Sequence, residues 1–128
     1  MAAAKTVLIH HAEQKIAPVR AIYCDSFLCQ LRGLTFRREL APYEGLLLVQ
    51  KRDSRVDAAI HMLFMAIDLA VIWFNQDGTV VDLVHAKRWQ PAYIPAQPAR
   101  YVLETHINRL QDFQIGEQLR LEMVGNNR

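Results

Sequence analysis

The sequence lacks the short motifs that mark most enzyme classes. It contains no G-x-S-x-G, no glycine-rich phosphate loop, no H-E-x-x-H and no cysteine–histidine pair at a recognisable spacing. Its only serines are Ser26, which suits a helix cap, and Ser54, which lies in a charged segment. Because catalysis would need groups that only the fold brings together, we expect no catalytic residues and a protein that is not an enzyme.

The sequence also lacks a surplus of one charge. Fifteen Lys and Arg stand against thirteen Asp and Glu, so the formal net charge is +2 at pH 7. Apart from short groups such as Arg37–Arg38 and Lys51–Arg52, basic residues are interleaved with acids, and no basic stripe with aromatic residues between occurs. A surface that tracks phosphates needs such a stripe, so nucleic acid is not an expected partner.

Long apolar runs are missing as well. The only apolar run near the start is Val7–Ile9, whereas a secretory signal needs about 7–15 apolar residues. The apolar segment Ala58–Phe74 is interrupted by His61 and Asp68 and is too short for a membrane span of about 20 residues. We therefore expect a cytoplasmic protein that does not associate with membranes.

The two cysteines are too few for a disulfide framework or a zinc site. Cys24 and Cys29 are five positions apart, so they would face opposite ways in a strand and diverge on a helix. Without a second cysteine pair, a zinc site is not indicated. We expect both residues to be reduced structural thiols, as is usual in the cytoplasm, and no metal or other cofactor.

Turn signals and apolar patterning predict a mainly β fold with two short helices. Asp77-Gly78 between two β-rich runs predicts an antiparallel hairpin, because glycine tolerates a positive φ. Ser26 or Asp25 can cap the first helix, whose apolar side chains lie on one side, and Gly33 ends it. The expected strands are Val19–Tyr23, Leu46–Val49, Leu69–Phe74, Thr79–His85, Arg100–Thr105 and Gln118–Met123, and the expected helices are Phe27–Arg32 and His106–Phe113. In Arg100–Thr105, alternation places Arg100, Val102 and Glu104 on one face.

This pattern predicts one domain, residues 16–124, built as a sandwich or a barrel-like sheet. Residues 1–15 are expected to be a mobile leader, with a short strand at Thr6–Ile9 as an alternative for part of it, and residues 125–128 a frayed C-terminus. The proline-rich segment Trp89–Pro98 is expected to be an ordered loop, because three prolines in ten residues exclude a helix or a central strand.

Several short segments follow one another in a recognisable order and spacing: Leu31–Arg37, Glu44–Val49, His61-Met62, Phe64-Met65, Ile67-Asp68, Asp77-Gly78, Val80-Val81, Ala99–Glu104 and Ile115-Gly116. In these segments the chain resembles the domain-of-unknown-function family 192, a widespread small prokaryotic domain. The resemblance implies a β-sandwich of jelly-roll type and assigns no activity. Relatives have a longer connection near Phe64–Ile67, where this chain has no Gly, Pro or Asn to make a turn.

The stretch Val56–Asn75 is the most apolar part of the chain, and its lack of periodicity predicts an element buried on both sides. Asp68 lies within it. Such a carboxylate must be paired, hydrogen-bonded or placed at a strand end facing a cleft, and Arg32 and Arg100 are the expected partners because both belong to the matching segments. Either this is a structural ion pair, or an arginine holds an anionic ligand beside Asp68.

Two further sets of residues are candidates for binding. His61, Met62 and Met65 are soft ligands that suit Cu(I), but in a strand Met62 would face away from the other two, so we expect core methionines and a hydrogen-bonded histidine. Trp89 and Tyr93, on the proline-rich loop, could line a ligand cleft or contact a partner, or they could pack over the edge of the sheet.

The leading hypothesis is a binding module without chemistry of its own, whose partner is a small ligand or another protein. Its candidate ligand-binding residues are Asp68, Arg32, Arg100, His61, Trp89 and Tyr93. The main alternative is a small hydrolase in which Asp68 acts with His61 or His85. A structural or assembly role is the third possibility, and the sequence leaves the ligand and the oligomeric state open.

Overall fold

The computed structural model describes residues 5–35 and 37–124 and shows a mainly β fold, as predicted. Residues 1–4, 36 and 125–128 lie outside the described part, and with them the start of the expected leader and the whole of the expected frayed C-terminus. The elements in chain order are β1 Thr6–His11, β2 Val19–Cys24, α1 Phe27–Arg32, β3 Glu44–Ser54, β4 Leu69–Phe74, β5 Val80–Ala86, β6 Ala99–Thr105, a 3₁₀ helix Ile107–Asp112 and β7 Leu119–Val124.

The seven described strands form one mixed sheet in the order β5-β4-β6-β3-β2-β1-β7. Only β2 and β3 pair in parallel; the other neighbours are antiparallel. The two edges of the sheet meet at one end, where the Val80 amide donates to the Glu117 carbonyl at 3.0 Å and Thr79 bridges Gln118. The sheet is therefore curled toward a barrel, and its edges are partly closed.

β1 is an integral strand, which confirms the alternative of a short strand at Thr6–Ile9 and corrects the mobile leader for residues 6–11. It pairs with β2 on one side and with β7 on the other, and Val7 and Ile9 are fully buried. The run Val7–Ile9 is short, but each of its alternate residues reaches the interior of the curled sheet. Local sequence could not show the pairing with β7, because β7 lies at the other end of the described chain.

Both faces of the sheet are covered at β4, which confirms the prediction for this strand. All six residues of β4 are buried. Alternate residues join two different apolar clusters: Val71 and Trp73 lie in one, and Ala70, Ile72 and Phe74 in the other. A strand covered on both sides gains nothing from alternation, and this is why its sequence shows no period of two.

The segment before β4 is irregular and covers one face of the sheet. Met62 donates its amide to the Gln90 carbonyl, at 2.9 Å, and accepts from the Trp89 amide at 2.7 Å. The chain reverses at Phe64, whose φ of 63° lies in the left-handed region that side chains other than glycine rarely adopt. This residue makes the turn for which the sequence offered no Gly, Pro or Asn.

The predicted boundaries of α1 are confirmed. Ser26 caps the helix by accepting the Cys29 amide at 3.1 Å, and Gly33, with φ of 51°, ends it. Its apolar side does not face the core: Phe27, Leu28 and Leu31 are 78%, 74% and 59% exposed. No residue of α1 is buried, so contacts other than apolar packing must hold this helix on the sheet.

The second helix, predicted at His106–Phe113, is present as the 3₁₀ helix Ile107–Asp112, and the predicted hairpin and proline-rich loop are present as well. β4 and β5 form the antiparallel hairpin around Gly78, whose φ is 87°. Segment 87–98 has no regular element apart from a bridge between Ile60 and Tyr93. Within residues 5–35 and 37–124, no helix is long and apolar enough to cross a membrane.

Candidate functional site

Asp68 is not inside the core, which corrects the first expectation for this residue. Its side chain is 32% exposed and lies just before β4. Its carboxylate accepts from the Arg88 amide at 2.9 Å, and its Oδ2 lies 2.8 Å from Nε2 of His85. The backbone hydrogen bond from Arg88, followed by the contact with His85, lowers the pKa of Asp68 below its usual value.

Neither expected arginine pairs with Asp68. Arg100 instead donates from Nε to the Gln50 carbonyl at 2.9 Å and lies over the ring of Tyr101. Arg32 is exposed at the end of α1. The salt bridge of Asp68 is to Arg88, with Nε 3.8 Å from Oδ1. The carboxylate thus ties the end of β5 to the residues before β4, a structural role.

An open cleft of about 740 Å³ adjoins Asp68. Its charged walls carry both signs and partly neutralise each other, as Arg37 pairs with Glu44 at 3.6 Å. No serine, threonine or cysteine is among its described lining residues, so the Asp68–His85 pair has no nucleophile beside it. Those residues are Arg37, Arg38, Glu39, Leu40, Ala41, Glu44, Ile67, Asp68, Arg88, His106 and Ile107.

The aromatic residues of the proline-rich loop have different surroundings. Tyr93 packs against a buried cluster, and its hydroxyl accepts from the Lys87 amide at 2.9 Å. Trp89 is 56% exposed and contacts the ring of Phe64 edge-on, with 5.2 Å between centroids. Like Phe64, Trp89 has a left-handed φ, which is 68°. Tyr93 is therefore part of the packing over the sheet, whereas Trp89 and Phe64 form an exposed aromatic pair.

One residue that was not among the predicted site residues, Glu104, is a buried acid among apolar neighbours. It lies in β6, opposite Leu46 of β3 and Val71 of β4, so its neighbours across the sheet are buried and apolar. The residue is only 6% exposed. Among the described residues, none forms a hydrogen bond or salt bridge with its carboxyl group.

Burial raises the pKa of Glu104 to about 7. Desolvation disfavours the charged carboxylate, and here no neighbouring charge or hydrogen bond offsets it. A carboxyl group in this environment is a frequent feature of functional sites, since ordinary packing rarely leaves such a group without a partner.

The Glu104 carboxyl lies at a small cavity beneath the end of α1. The cavity has a volume of about 90 Å³. An Oε1 oxygen of Glu104 would lie 3.9 Å from a Cβ atom at Gly33. Two predicted site residues, Arg32 and His61, line this cavity with Glu104. The other lining residues are Gln30, Leu31, Gly33, Leu34, Thr35, Leu48, Gln50, Asp57, Ala59, Ile60, Met62 and Met65.

A larger apolar cleft of about 620 Å³ adjoins this cavity. The two share Leu31, Arg32, Thr35 and His61 as lining residues, and the cleft continues along Leu63 and Phe64. We call the pair the Glu104 site: a narrow polar cavity with an apolar cleft outside it. Ligand sites commonly combine a mostly apolar wall with a few well-placed polar groups.

Polar contacts and a disulfide hold α1 over the Glu104 site. Gln30 donates from Nε2 to the Val49 carbonyl at 2.9 Å, and its Oε1 accepts from Gln50 at 3.0 Å. Cys24 and Cys29 form a disulfide with their Cα atoms 5.7 Å apart, which corrects the expectation of reduced thiols. The strand ends at Cys24 and the helix starts at Phe27, so the chain turns between the cysteines and brings them together.

We expect loss of the disulfide to destabilise the protein by about 2 kcal/mol, the loop-closure entropy of so short a loop. Urea unfolding of the wild type with and without reductant, and of the Cys24→Ser/Cys29→Ser double variant, measures this. Amide exchange of residues 27–32 should also accelerate, because α1 has no buried residue. Reductant should leave the double variant unchanged. An unaltered wild-type urea midpoint under full reduction would contradict the expectation.

His61, Met62 and Met65 line the same cavity, although a strand geometry would have separated them. Met62 and Met65 are buried in an apolar cluster, whereas His61 is exposed and accepts the Leu63 amide at 3.3 Å through Nδ1. Across residues 5–35 and 37–124, no three His, Cys, Asp or Glu side chains group in a way that could hold a metal ion. The two methionines form the apolar wall of the cavity.

One sequence signal could have revealed Glu104. The strand prediction placed Arg100, Val102 and Glu104 on one face of β6, and Val102 proves fully buried there. A carboxylate two positions after a core valine lies on the same face, so its burial has the same cost that was expected for Asp68. Asp68 drew attention because of its apolar neighbours in sequence, but neighbours across the sheet decide burial.

Comparison with known proteins places the chain in an uncharacterised family. The family model DUF192, described as an uncharacterized ACR, matches residues 8–123. The chain belongs to the DUF192 family. The earlier resemblance is thus confirmed, and it now covers β1 as well as the segments on which it was based.

The archaeal relatives of this chain have names that state no function. A UPF0127 protein of Thermococcus kodakarensis is 30% identical over 87% of this chain and 69% of its own length. A UPF0127 protein of Thermococcus gammatolerans is 34% identical over 73% of this chain, and the match spans only 59% of that relative. The match therefore says nothing about the remaining parts of these relatives.

Two crystal structures share the fold. A "putative transcription regulator" from Sinorhizobium meliloti superposes with a TM-score of 0.80 at 21% identity and covers 96% of both chains. A protein of unknown function from Novosphingobium aromaticivorans gives a TM-score of 0.75 at 20% identity, over 90% of this chain and 83% of the other. At these identities the likeness concerns the fold alone.

Proposed function

We propose that this DUF192 domain is a binding module for a small ligand and that the Glu104 site holds that ligand. The observation that carries the proposal is the Glu104 carboxyl group, buried beside a cavity with no hydrogen-bond partner among the described residues. Burial of a polar group without a partner costs free energy, which a ligand that donates a hydrogen bond would recover. The expected arginine–aspartate site is replaced by this one.

The arrangement favours binding over chemistry. The cavity holds one carboxyl group, and the exposed His61 uses Nδ1 for the Leu63 amide. The Asp68–His85 pair of the hydrolase alternative is formed, but it contacts a different cleft with no nucleophile among its described walls. Arg32 and His61 remain ligand-binding candidates at the Glu104 site, whereas Asp68, Arg100 and Tyr93 have structural contacts.

A thermal-shift screen of small organic compounds, anions and metals tests the proposal on wild type, Glu104→Gln and Asp68→Asn. A ligand at 100 times its dissociation constant stabilises the folded state by about 3 kcal/mol. We expect at least one compound to stabilise the wild type and Asp68→Asn equally but to leave Glu104→Gln unchanged. Glutamine keeps the shape of the side chain, so this variant isolates the carboxyl group.

Exposed Glu13 provides the matched control, as Glu13→Gln removes a carboxylate from the turn between β1 and β2. If every stabilising compound acts equally on Glu104→Gln and Glu13→Gln, the ligand site is not at Glu104. If compounds act only through Asp68, the cleft beside Asp68 is the site instead.

A further inference from the structure

We infer that the Glu104 site selects a primary ammonium group carried on an apolar body. This inference rests on the proposed function and names its ligand class. The ammonium group enters the narrow cavity and donates to Glu104, while the apolar body lies in the adjoining cleft against Leu31, Leu63 and Phe64.

The volumes of the two spaces set the shape of the ligand. At about 90 Å³ the cavity admits only a small head group, whereas ligand pockets for whole small molecules are several times larger. The adjoining cleft of about 620 Å³ is large enough for the rest of the molecule. A compact head on a larger body therefore fits, and a bulky polar group does not.

The polar atoms of the cavity favour a ligand group that donates hydrogen bonds. Both amide nitrogens on its wall already donate to protein oxygens: Gln30 to the Val49 carbonyl, and Gln50 to Gln30. The side-chain Oε1 of Gln50 and the Glu104 carboxylate remain as acceptors, and the Thr35 hydroxyl can accept as well. An ammonium group is small and carries three donors and no acceptor, which matches this set.

The charges of the site favour a cation over an anion. An ionised Glu104 repels a carboxylate or phosphate, and desolvation makes that repulsion stronger than at the surface. Arg32 lines the cavity but forms no salt bridge with Glu104, and desolvation is the cause of the raised pKa of this carboxyl. The negative charge of Glu104 is thus unmatched by the protein and available to a ligand cation.

The cleft outside the cavity offers an apolar contact. Leu31, Leu63 and Phe64 are 59%, 37% and 52% exposed. Trp89 contacts Phe64 and supports its ring from the side. Apolar ligand atoms placed there would be removed from water, and the free energy gained is proportional to the apolar area that is buried. An ammonium ion without an apolar body cannot obtain this gain.

Calorimetric titration at about pH 8, where Glu104 is ionised, compares n-hexylamine with hexan-1-ol, hexanoate and methylamine. We expect hexylamine to bind the wild type at least about tenfold more tightly than each of the other three, because it alone combines a charged donor with an apolar chain. Glu104→Gln should lose at least about tenfold in hexylamine affinity, and Glu13→Gln should lose none.

A separate variant tests the apolar contact between the ligand and the cleft. Leu63→Ser should weaken hexylamine binding but leave Glu104-dependent binding of methylamine unaltered, because Leu63 lines the cleft and not the cavity; Leu28→Ser, outside both spaces, serves as control. Circular dichroism checks that each variant is folded. Equal affinity for hexan-1-ol and hexylamine, or hexylamine binding that survives in Glu104→Gln, would overturn the ammonium inference.

The outcomes also separate this inference from the proposed function. Glu104-dependent binding of a neutral or anionic compound, with hexylamine inactive, refutes the ammonium class and leaves the binding module standing. If neither hexylamine nor any compound in the wider screen depends on Glu104, the proposed function fails together with the inference.

Discussion

Replacing Glu104 by glutamine should remove most of the pH dependence of stability between pH 4.5 and 7 and make the protein more stable above pH 7. The folded state keeps the Glu104 proton up to a pKa of about 7, whereas the unfolded chain loses it near 4.5. The folded state thus binds more protons in this window, and the free energy of unfolding falls as pH rises through it.

The size of the effect follows from the shift in pKa. Each pKa unit corresponds to about 1.4 kcal/mol, so the wild type should lose about 3 kcal/mol from this residue between pH 4.5 and pH 7.5. For a chain of this length, that is a fall in Tm of about 10 °C. Glutamine does not titrate, so the variant should not show this component.

Urea unfolding of wild type, Glu104→Gln and Glu13→Gln at several pH values measures the difference. The stability gap between the wild type and Glu104→Gln should widen with pH and level off above pH 7, whereas Glu13→Gln should follow the wild type. Parallel curves for wild type and Glu104→Gln would show that Glu104 has an ordinary pKa. Its carboxyl group would then have to be solvated or paired.

Gly78→Ala should cost about 3–4 kcal/mol, far more than Gly116→Ala. Both glycines have a left-handed φ, 87° at Gly78 and 93° at Gly116. A Cβ atom at Gly78 would lie 2.6 Å from the Leu119 carbonyl oxygen, whereas one at Gly116 would meet nothing within 4 Å. The pair therefore separates backbone strain, which both share, from steric overlap.

The overlap at Gly78 falls where the edges of the sheet meet. The Leu119 amide donates to the Gly78 carbonyl at 2.8 Å, so the hairpin turn and the start of β7 cannot move apart without breaking this bond. For Gly116→Ala we expect a loss of about 1 kcal/mol from conformation alone. Urea midpoints of the two variants decide the matter, and equal losses would show that the contact with β7 is dispensable.

Local signals in the sequence were sufficient for most of the secondary structure. Asp77-Gly78 predicted the hairpin, and Ser26 and Gly33 predicted the ends of α1. The alternation in Arg100–Thr105 correctly separated the two faces of β6. These features depend on residues close together in the chain, whose conformational preferences act whatever the rest of the molecule does.

The features that the sequence left open or predicted wrongly depend on how segments of the chain are arranged in space. Phe27, Leu28 and Leu31 form an apolar side of α1, but no element covers that side within the described part of the chain. The cysteines were judged by the geometry of a strand or a helix, whereas a turn lies between them. Asp68 lies among apolar residues in sequence but at the surface in space.

The sequence by itself determined a mainly β domain, its hairpin, the caps of α1 and its membership of an uncharacterised family. The tertiary structure decided where the site lies. Glu104 is one acid among thirteen acidic residues until β3 and β4 place Leu46 and Val71 on either side of it and α1 closes over it. Desolvation is a property of the assembled neighbours, and no residue carries it in its own sequence context.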